Sequence, residues 1–107
     1  MTVTSDQLLI AIESDELEAR AITDNDASVI LILIDGKEVL RVGCLHLLDR
    51  PGAKVTLDGR SVEVFPSHGL PQGLSIGCKT HEEASLIADA LDRCFESAYL
   101  DLMDESP

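Results

Sequence analysis

Aromatic side chains and long apolar runs are scarce in this sequence. It contains one Tyr, two Phe and no Trp in 107 residues, so a core has to be built from Leu, Ile, Val and Ala. The longest apolar run, residues 29–34, spans six residues, whereas a membrane-spanning helix needs roughly 20. The chain is instead typical of a single globular domain over residues 1–107, with a frayed acidic tail at 103–107.

The sequence also lacks the features of a secreted, disulfide-bonded domain. Its three cysteines are an odd number, so they cannot all pair within one chain. The first residues carry no basic cluster and include an acid, Asp6, unlike a secretory signal. We therefore expect a cytoplasmic protein with reduced thiols.

Basic residues are few and unevenly placed. Eight Lys and Arg stand against 20 Asp and Glu, for a net charge of −12. Residues 1–26 carry −6, residues 27–81 carry +1 and residues 82–107 carry −7. Nucleic acids and anionic membranes attract basic surfaces, so both are excluded as expected ligands. A basic protein surface is the partner that this charge favours.

The middle of the chain predicts antiparallel strands. Residues 29–34 are apolar on both faces and are followed by Asp35-Gly36, a strong hairpin signal, and by a return strand over 37–43. Such a doubly apolar strand is expected at the centre of a sheet, covered on both sides. A homodimer through a sheet edge is the expectation if this strand or its return strand lies at an edge instead.

A second hairpin is predicted over residues 53–65. Val55 and Leu57 would lie on its first strand, and Asp58-Gly59 would form the turn. Residues 73–79 predict one further short strand. Residues 6–22 are ambiguous: alternation of apolar residues favours another hairpin, and helix-favouring composition leaves a helix as the alternative.

The C-terminal segment predicts a long amphipathic helix. Thr80 and Glu83 fit a capping box, in which each side chain bonds to the other residue's backbone amide. The apolar residues that follow recur every three or four positions: Ala84, Ile87, Ala88, Leu91, Cys94, Phe95, Ala98 and Leu102. The predicted class is α+β, with antiparallel sheets of about five to seven short strands packed by this helix.

The stretch GLSIGCKTHEEASLIADALDRCF, residues 73–95, combines a last strand with a capped helix. Preceded by up to six other short strands, it resembles the element order of the pleckstrin-homology-like fold. The resemblance implies peptide or protein binding. Members of that family that bind phosphoinositides use basic residues between their first two strands, and here the corresponding residues, Ser14-Asp15-Glu16, include two acids. Phosphoinositide binding is therefore not implied.

Two Cys and two His could form a zinc site. Cys44 and His46 lie in GCLH, and Cys78 and His81 lie in CKTH; two thiolates and two imidazoles are a regular tetrahedral set. Both cysteines also alternate with neighbouring apolar residues, and His81 falls in the first turn of the helix, so core packing accounts for these residues without a metal. We predict no metal and no cofactor, with zinc as the alternative.

The sequence contains no G-x-S-x-G, phosphate loop or dinucleotide fingerprint. We therefore predict a small acidic, non-enzymatic interaction protein of the inhibitor, immunity or adaptor type, which in its extreme form would mimic nucleic acid. The alternative is a small-molecule-binding or enzymatic domain that uses a cleft at the 66–73 loop. The predicted partner-binding carboxylates are Glu13, Asp15, Glu16, Glu18, Asp89, Asp92 and Glu96.

Overall fold

The computed structural model describes residues 3–24, 27–44, 52–65 and 74–105. Two helices and six strands make up this part of the chain, and the predicted α+β class is confirmed. In chain order they are α1 (Ser5–Glu13), β1 (Leu17–Asp24), β2 (Ala27–Ile34), β3 (Lys37–Cys44), β4 (Gly52–Val55), β5 (Ser61–Phe65), β6 (Leu74–Gly77) and α2 (His81–Glu105).

The first sheet, sheet A, has the antiparallel order β1-β2-β3. The apolar strand β2 lies at its centre, as predicted, and therefore offers no edge for a dimer. Asp35 and Gly36 have φ of 51° and 79°, the two positive values that a type I′ hairpin turn requires.

Only one face of sheet A joins the hydrophobic core. Ile30 and Ile32 are fully buried on that face, where they pair with Ala21 and Ala19 of β1. Val29 and Leu31 point the other way; they are half-buried and lie outside the core cluster. The prediction that β2 is covered on both sides is thus confirmed for the core face, whereas on the other face Leu33 is buried and Val29 and Leu31 are half-buried.

A β-bulge interrupts the pairing of β2 with β3. Ile32 pairs with Leu40, but Leu33 pairs with Glu38, so Val39 is an additional residue on β3. Glu38 and Arg41 consequently lie on the same face of the sheet, and their side chains form an ion pair of 2.8 Å.

The second sheet, sheet B, has the antiparallel order β4-β5-β6. Its first hairpin turns earlier than predicted. The Gly59 amide donates to the Thr56 carbonyl at 2.9 Å, and the Asp58 carboxylate accepts from the Arg60 amide at 3.1 Å. The turn therefore contains Leu57, which is fully exposed, and the assignment of Leu57 to a strand was wrong.

The predicted hairpin over residues 6–22 was wrong in its first half. Residues 5–13 form helix α1, which begins at a capping box: the Gln7 amide donates to the Thr4 hydroxyl at 3.3 Å, and the Thr4 amide donates to the Gln7 side chain at 2.9 Å. Leu8 and Ala11, three residues apart, are the buried apolar positions. The second half is the strand β1, as predicted, but it pairs with β2.

Because helix α1 precedes the described strands, the pleckstrin-homology-like order of seven strands and one helix is not confirmed. The described part has six strands and an additional helix before them. The coarser expectation of five to seven short strands and one long C-terminal helix is confirmed.

Helix α2 begins as predicted and extends further than predicted. The Glu83 amide donates to the Thr80 hydroxyl at 3.1 Å, whereas the Glu83 carboxylate accepts from the Lys79 amide at 3.0 Å and not from that of Thr80. The helix continues through Glu105, so residues 103–105 of the predicted frayed tail are helical, and 106–107 lie outside the described residues.

Both sheets pack against the apolar stripe of α2. Seven of its eight predicted residues are buried, and Cys94 is half-buried. The helix packs across β4 and β5 of sheet B and β1 and β2 of sheet A, with α1 at its side. One core cluster includes residues from both helices and both sheets, as in one small domain.

Helix α1 ends in a Schellman motif that has an aspartate where glycine is favoured. The Glu16 amide donates to the Ala11 carbonyl at 2.8 Å and the Asp15 amide to the Ile12 carbonyl at 3.3 Å, the two bonds that define the motif. Asp15 has φ of 57°, a left-handed conformation in which a side chain is strained.

Replacing Asp15 with glycine should therefore stabilise the protein. We expect Asp15→Gly to raise the free energy of unfolding by about 0.5–1 kcal/mol, since relief of strain exceeds the extra chain entropy of glycine. Urea denaturation would measure this. Asp15→Ala is the matched control, because it also removes the carboxylate but keeps the strain; equal stability of the two variants would contradict the explanation.

Candidate functional site

The solvent-facing side of α2 carries two rows of exposed side chains at seven-residue spacing. Residues seven apart lie nearly above one another on a helix, about 10.5 Å apart. Both rows are exposed, and we call them together the α2 outer face. The acidic row is Glu82, Asp89 and Glu96, and the second row is Leu86, Arg93 and Leu100.

The two leucines are unusual for a solvated helix surface. Leu86 is 51% exposed and Leu100 is 54% exposed, although α2 already has a complete buried stripe on its other side. Isolated surface leucines are common, but these two share one face with three carboxylates. An apolar contact framed by acids is a surface that a partner with apolar and basic groups can bind.

Arg93 separates the leucines without neutralising the face. Its Nε atom donates to the backbone carbonyl of Asp89 at 3.4 Å, so this bond goes to the helix itself and not to a carboxylate. Three acids and one base leave the α2 outer face with a net charge of −2. The face therefore carries a negative electrostatic potential.

Asp92 does not belong to this face. It is half-buried, and its Oδ1 atom accepts from the Ala53 amide of β4 at 3.4 Å. Ala53 lies on a strand that pairs on one side with β5, and a carboxylate on an unpaired edge amide protects that edge. The structure thus places one of the predicted partner-binding acids within the fold.

The acids near α1 divide between two surfaces. Asp15 lines a groove with Arg93 of α2, which brings it next to the α2 outer face. Glu13 and Glu16 are exposed on either side of Asp15, at the end of α1. Glu18 lies on β1 opposite Leu33, on the face of sheet A that points away from the core. The structure therefore does not gather the seven predicted acids into one patch.

The groove between α1, β1 and α2 has an apolar floor and a polar rim. Ala11, Ile12, Leu17, Ala90 and Cys94 form the floor, and Asp15 and Arg93 form the rim. Its volume is about 280 Å³, slightly below the roughly 300–1,000 Å³ of ligand pockets. The predicted ligand cleft at 66–73 lies outside the described residues.

Cys78 and His81 have structural roles in this fold. The Cys78 amide donates to the Arg60 carbonyl at 2.8 Å, and its thiol lies 3.7 Å from the Ile76 carbonyl, half-buried against the core. His81 is the first residue of α2. Its ring lies against Gly59, where an added Cβ would come within 2.8 Å of the ring carbon Cδ2.

The zinc alternative stays a hypothesis. The side chain of Cys44 and all of His46 fall outside the described residues. The described part of the chain shows no group of three or more His, Cys, Asp or Glu side chains placed to hold a metal ion. Metal analysis of protein purified without chelators tests the alternative directly, since a site of this kind would retain one equivalent of zinc.

Comparison with known proteins gives no functional assignment: no protein-family model matches the chain, and neither a curated protein nor a solved structure shows significant similarity to it. In the part of the chain that the structure describes, neither helix combines the length and the apolar character needed to cross a membrane.

The sequence contained a signal for the α2 outer face that the prediction did not use. The buried stripe was identified from three- and four-residue spacings, and the opposite side was described by its charges alone. Leu86, Arg93 and Leu100 are seven residues apart, so a helical projection places both leucines among those charges.

Gly59 allows us to test the contact between the β4–β5 turn and α2. Its φ of 74° strains any other residue by about 1–3 kcal/mol, and a Cβ would also collide with the His81 ring. We expect Gly59→Ala to destabilise the protein by that amount or more in urea denaturation. In a His81→Ala background the loss should be smaller; an equal loss in both backgrounds would show that the ring contact contributes nothing.

The two described thiols should react more slowly at neutral pH than the same thiols in the unfolded chain. Burial raises the pKa of Cys94, with partial opposition from Arg93, and burial together with the Glu83 carboxylate raises the pKa of Cys78. A raised pKa lowers the thiolate fraction, so alkylation of a Cys44→Ser variant at pH 7.5 should be at least about threefold slower in the native than in the unfolded state. Equal alkylation rates in the native and unfolded states would contradict the raised pKa of these thiols.

Proposed function

We propose that this protein is a non-enzymatic protein-interaction domain that recognises a basic protein surface through the α2 outer face. The supporting observation is the pair of half-exposed leucines in a helix face that also carries Glu82, Asp89 and Glu96. The carboxylates attract and orient the partner, and the leucines supply apolar contact area.

The carboxylates and the leucines contribute different amounts of binding free energy. Exposed ion pairs contribute about 0–1 kcal/mol each and mainly accelerate association. Complete burial of a leucine side chain contributes about 1.5–3 kcal/mol, so covering the exposed half of Leu86 and of Leu100 contributes about 1 kcal/mol each. Both kinds of contact are needed for a specific complex, because neither alone offsets the cost of association.

The spacing of the face restricts the partner. Leu86 and Leu100 are separated by fourteen residues, which corresponds to about 21 Å along the helix. A matching partner presents two apolar depressions at that distance, with Lys or Arg beside them. Asp15, at the neighbouring groove, extends the acidic surface towards α1.

The same spacing favours a protein groove over nucleic-acid mimicry. The carboxylates of the acidic row recur about every 10.5 Å, whereas a DNA strand carries one charge for every 3.4 Å of its axis. A sequence of carboxylates about three times sparser than phosphates is a poor substitute for DNA. The preferred hypothesis is therefore an inhibitor, immunity or adaptor protein that contacts an ordinary basic surface.

The test compares two pairs of substitutions on the α2 outer face with one matched pair elsewhere. Asp89→Lys with Glu96→Lys reverses two acids, and Leu86→Ser with Leu100→Ser removes the apolar contacts without a change of charge. Glu13→Lys with Glu16→Lys makes the same change of net charge at the end of α1, outside the α2 outer face. Partners captured from native lysate at low salt would be quantified for each variant.

We expect one partner to be lost with both α2 pairs and retained with the Glu13 and Glu16 pair. The lysine pair should slow association about tenfold or more, and the serine pair should mainly speed dissociation. Loss with all charge-reversed variants and full binding by the serine pair would instead indicate attraction by net charge alone, and would contradict the proposed face.

A further inference from the structure

The outer face of sheet A carries an apolar patch that is separate from the hydrophobic core. Ile22 pairs with Val29 across β1 and β2, and Leu31 and Leu33 follow on β2. Leu33 is only 5% exposed, the other three are half-buried, and none of the four belongs to the core cluster. These residues are apolar on a face where an antiparallel sheet normally presents polar side chains to water.

Two charged rows cross the same face. Leu31 lies between Arg20 on β1 and Arg41 on β3, and Leu33 lies between Glu18 on β1 and Glu38 on β3. All four charged residues are exposed. The rows are two residues apart along the strands, about 7 Å.

The four charged residues of these two rows sum to zero, in a protein whose total is −12. Two guanidinium groups balance two carboxylates around the leucines. Copies of a strongly acidic chain repel one another over most of their surface, so a balanced face is where two copies can approach.

The pattern is also self-complementary. Consider a two-fold axis in the plane of contact, perpendicular to the strands and midway between the two rows. Rotation about it places the arginine row of one copy over the glutamate row of the other, and Leu31 over Leu33. Each Arg20 then meets the Glu18 of the second copy, as an isologous contact requires.

We propose that the outer face of sheet A is a homodimer interface, in which two copies stack these sheets face to face. This surface is distinct from the α2 outer face and does not depend on the function proposed above. It also differs from the sheet-edge dimer expected from the sequence, because the strand faces make the contact and the backbone edges of β1 and β3 do not.

The size of the patch sets the strength of the dimer. Three strands spaced about 4.8 Å apart and five residues long cover about 14 by 17 Å, well below the roughly 800 Å² per partner of a standard interface. The Glu38–Arg41 ion pair within each copy is retained and joins a larger network. We therefore expect reversible association with a Kd in the micromolar range or weaker.

Sedimentation velocity over about 10 µM to 1 mM protein would test the proposal with charge-reversed variants. Arg20→Glu places two acids opposite two acids, and Glu18→Arg places two bases opposite two bases, so each variant should weaken self-association about tenfold or more. The double variant Glu18→Arg with Arg20→Glu exchanges the rows of β1 and restores both pairs. Glu96→Arg is the control, with the same change of charge as Glu18→Arg but on the α2 outer face.

A mixture of the two single variants gives the sharpest result. Arg20→Glu protein carries two acids at these positions and Glu18→Arg protein carries two bases, so the mixed dimer regains both ion pairs although both chains remain strongly negative. We expect the mixture to associate within about threefold of the wild-type Kd. The interface is overturned by a wild type that stays monomeric throughout, or by single variants that self-associate as the wild type does.

Discussion

The structure depends on the burial of one stripe of α2 against two small sheets. Sheets A and B have three strands each and do not share a ladder in the described residues, and a sheet of that size is marginal unless a helix covers it. Leu91 and Phe95 are fully buried at the middle of the stripe. Since α2 contacts strands of both sheets, removing its apolar side chains would separate the fold into parts that cannot stand alone.

This dependence explains why the other half of α2 is available for binding. The buried residues occupy one side, α1 covers the flank at Ala90 and Cys94, and β4 receives Asp92 on the opposite flank. What remains in water is the strip with Leu86 and Leu100. Fold and proposed recognition thus use different sides of one rigid helix, so the spacing of the recognition groups is fixed by the helix that forms the core.

Predictions from the sequence succeeded where the signal was local and failed where it needed distant partners. The cap at Thr80 was predicted from the spacing of Thr80 and Glu83. The central position of β2 was predicted from its apolar run. Helix α1 was missed because its closely spaced apolar residues also alternate, and the capping pair Thr4 and Gln7 was not recognised. The hydrogen bond between Asp92 and β4 could not be predicted without knowing where β4 lies. The charged rows of sheet A could not be predicted without knowing the register of its three strands.

The additional residue at Val39 determines whether Glu38 points into the core or into solvent. Side chains of a regular strand alternate, so Glu38 would share the orientation of Leu40 and point into the apolar interior, where an unpaired carboxylate costs several kcal/mol or more. The bulge shifts the phase of β3 by one position and turns Glu38 outwards instead. The same residues paired with β2 in regular register would therefore have to bury an acid, so the bulge at Val39 is what makes the sequence of β3 compatible with this sheet.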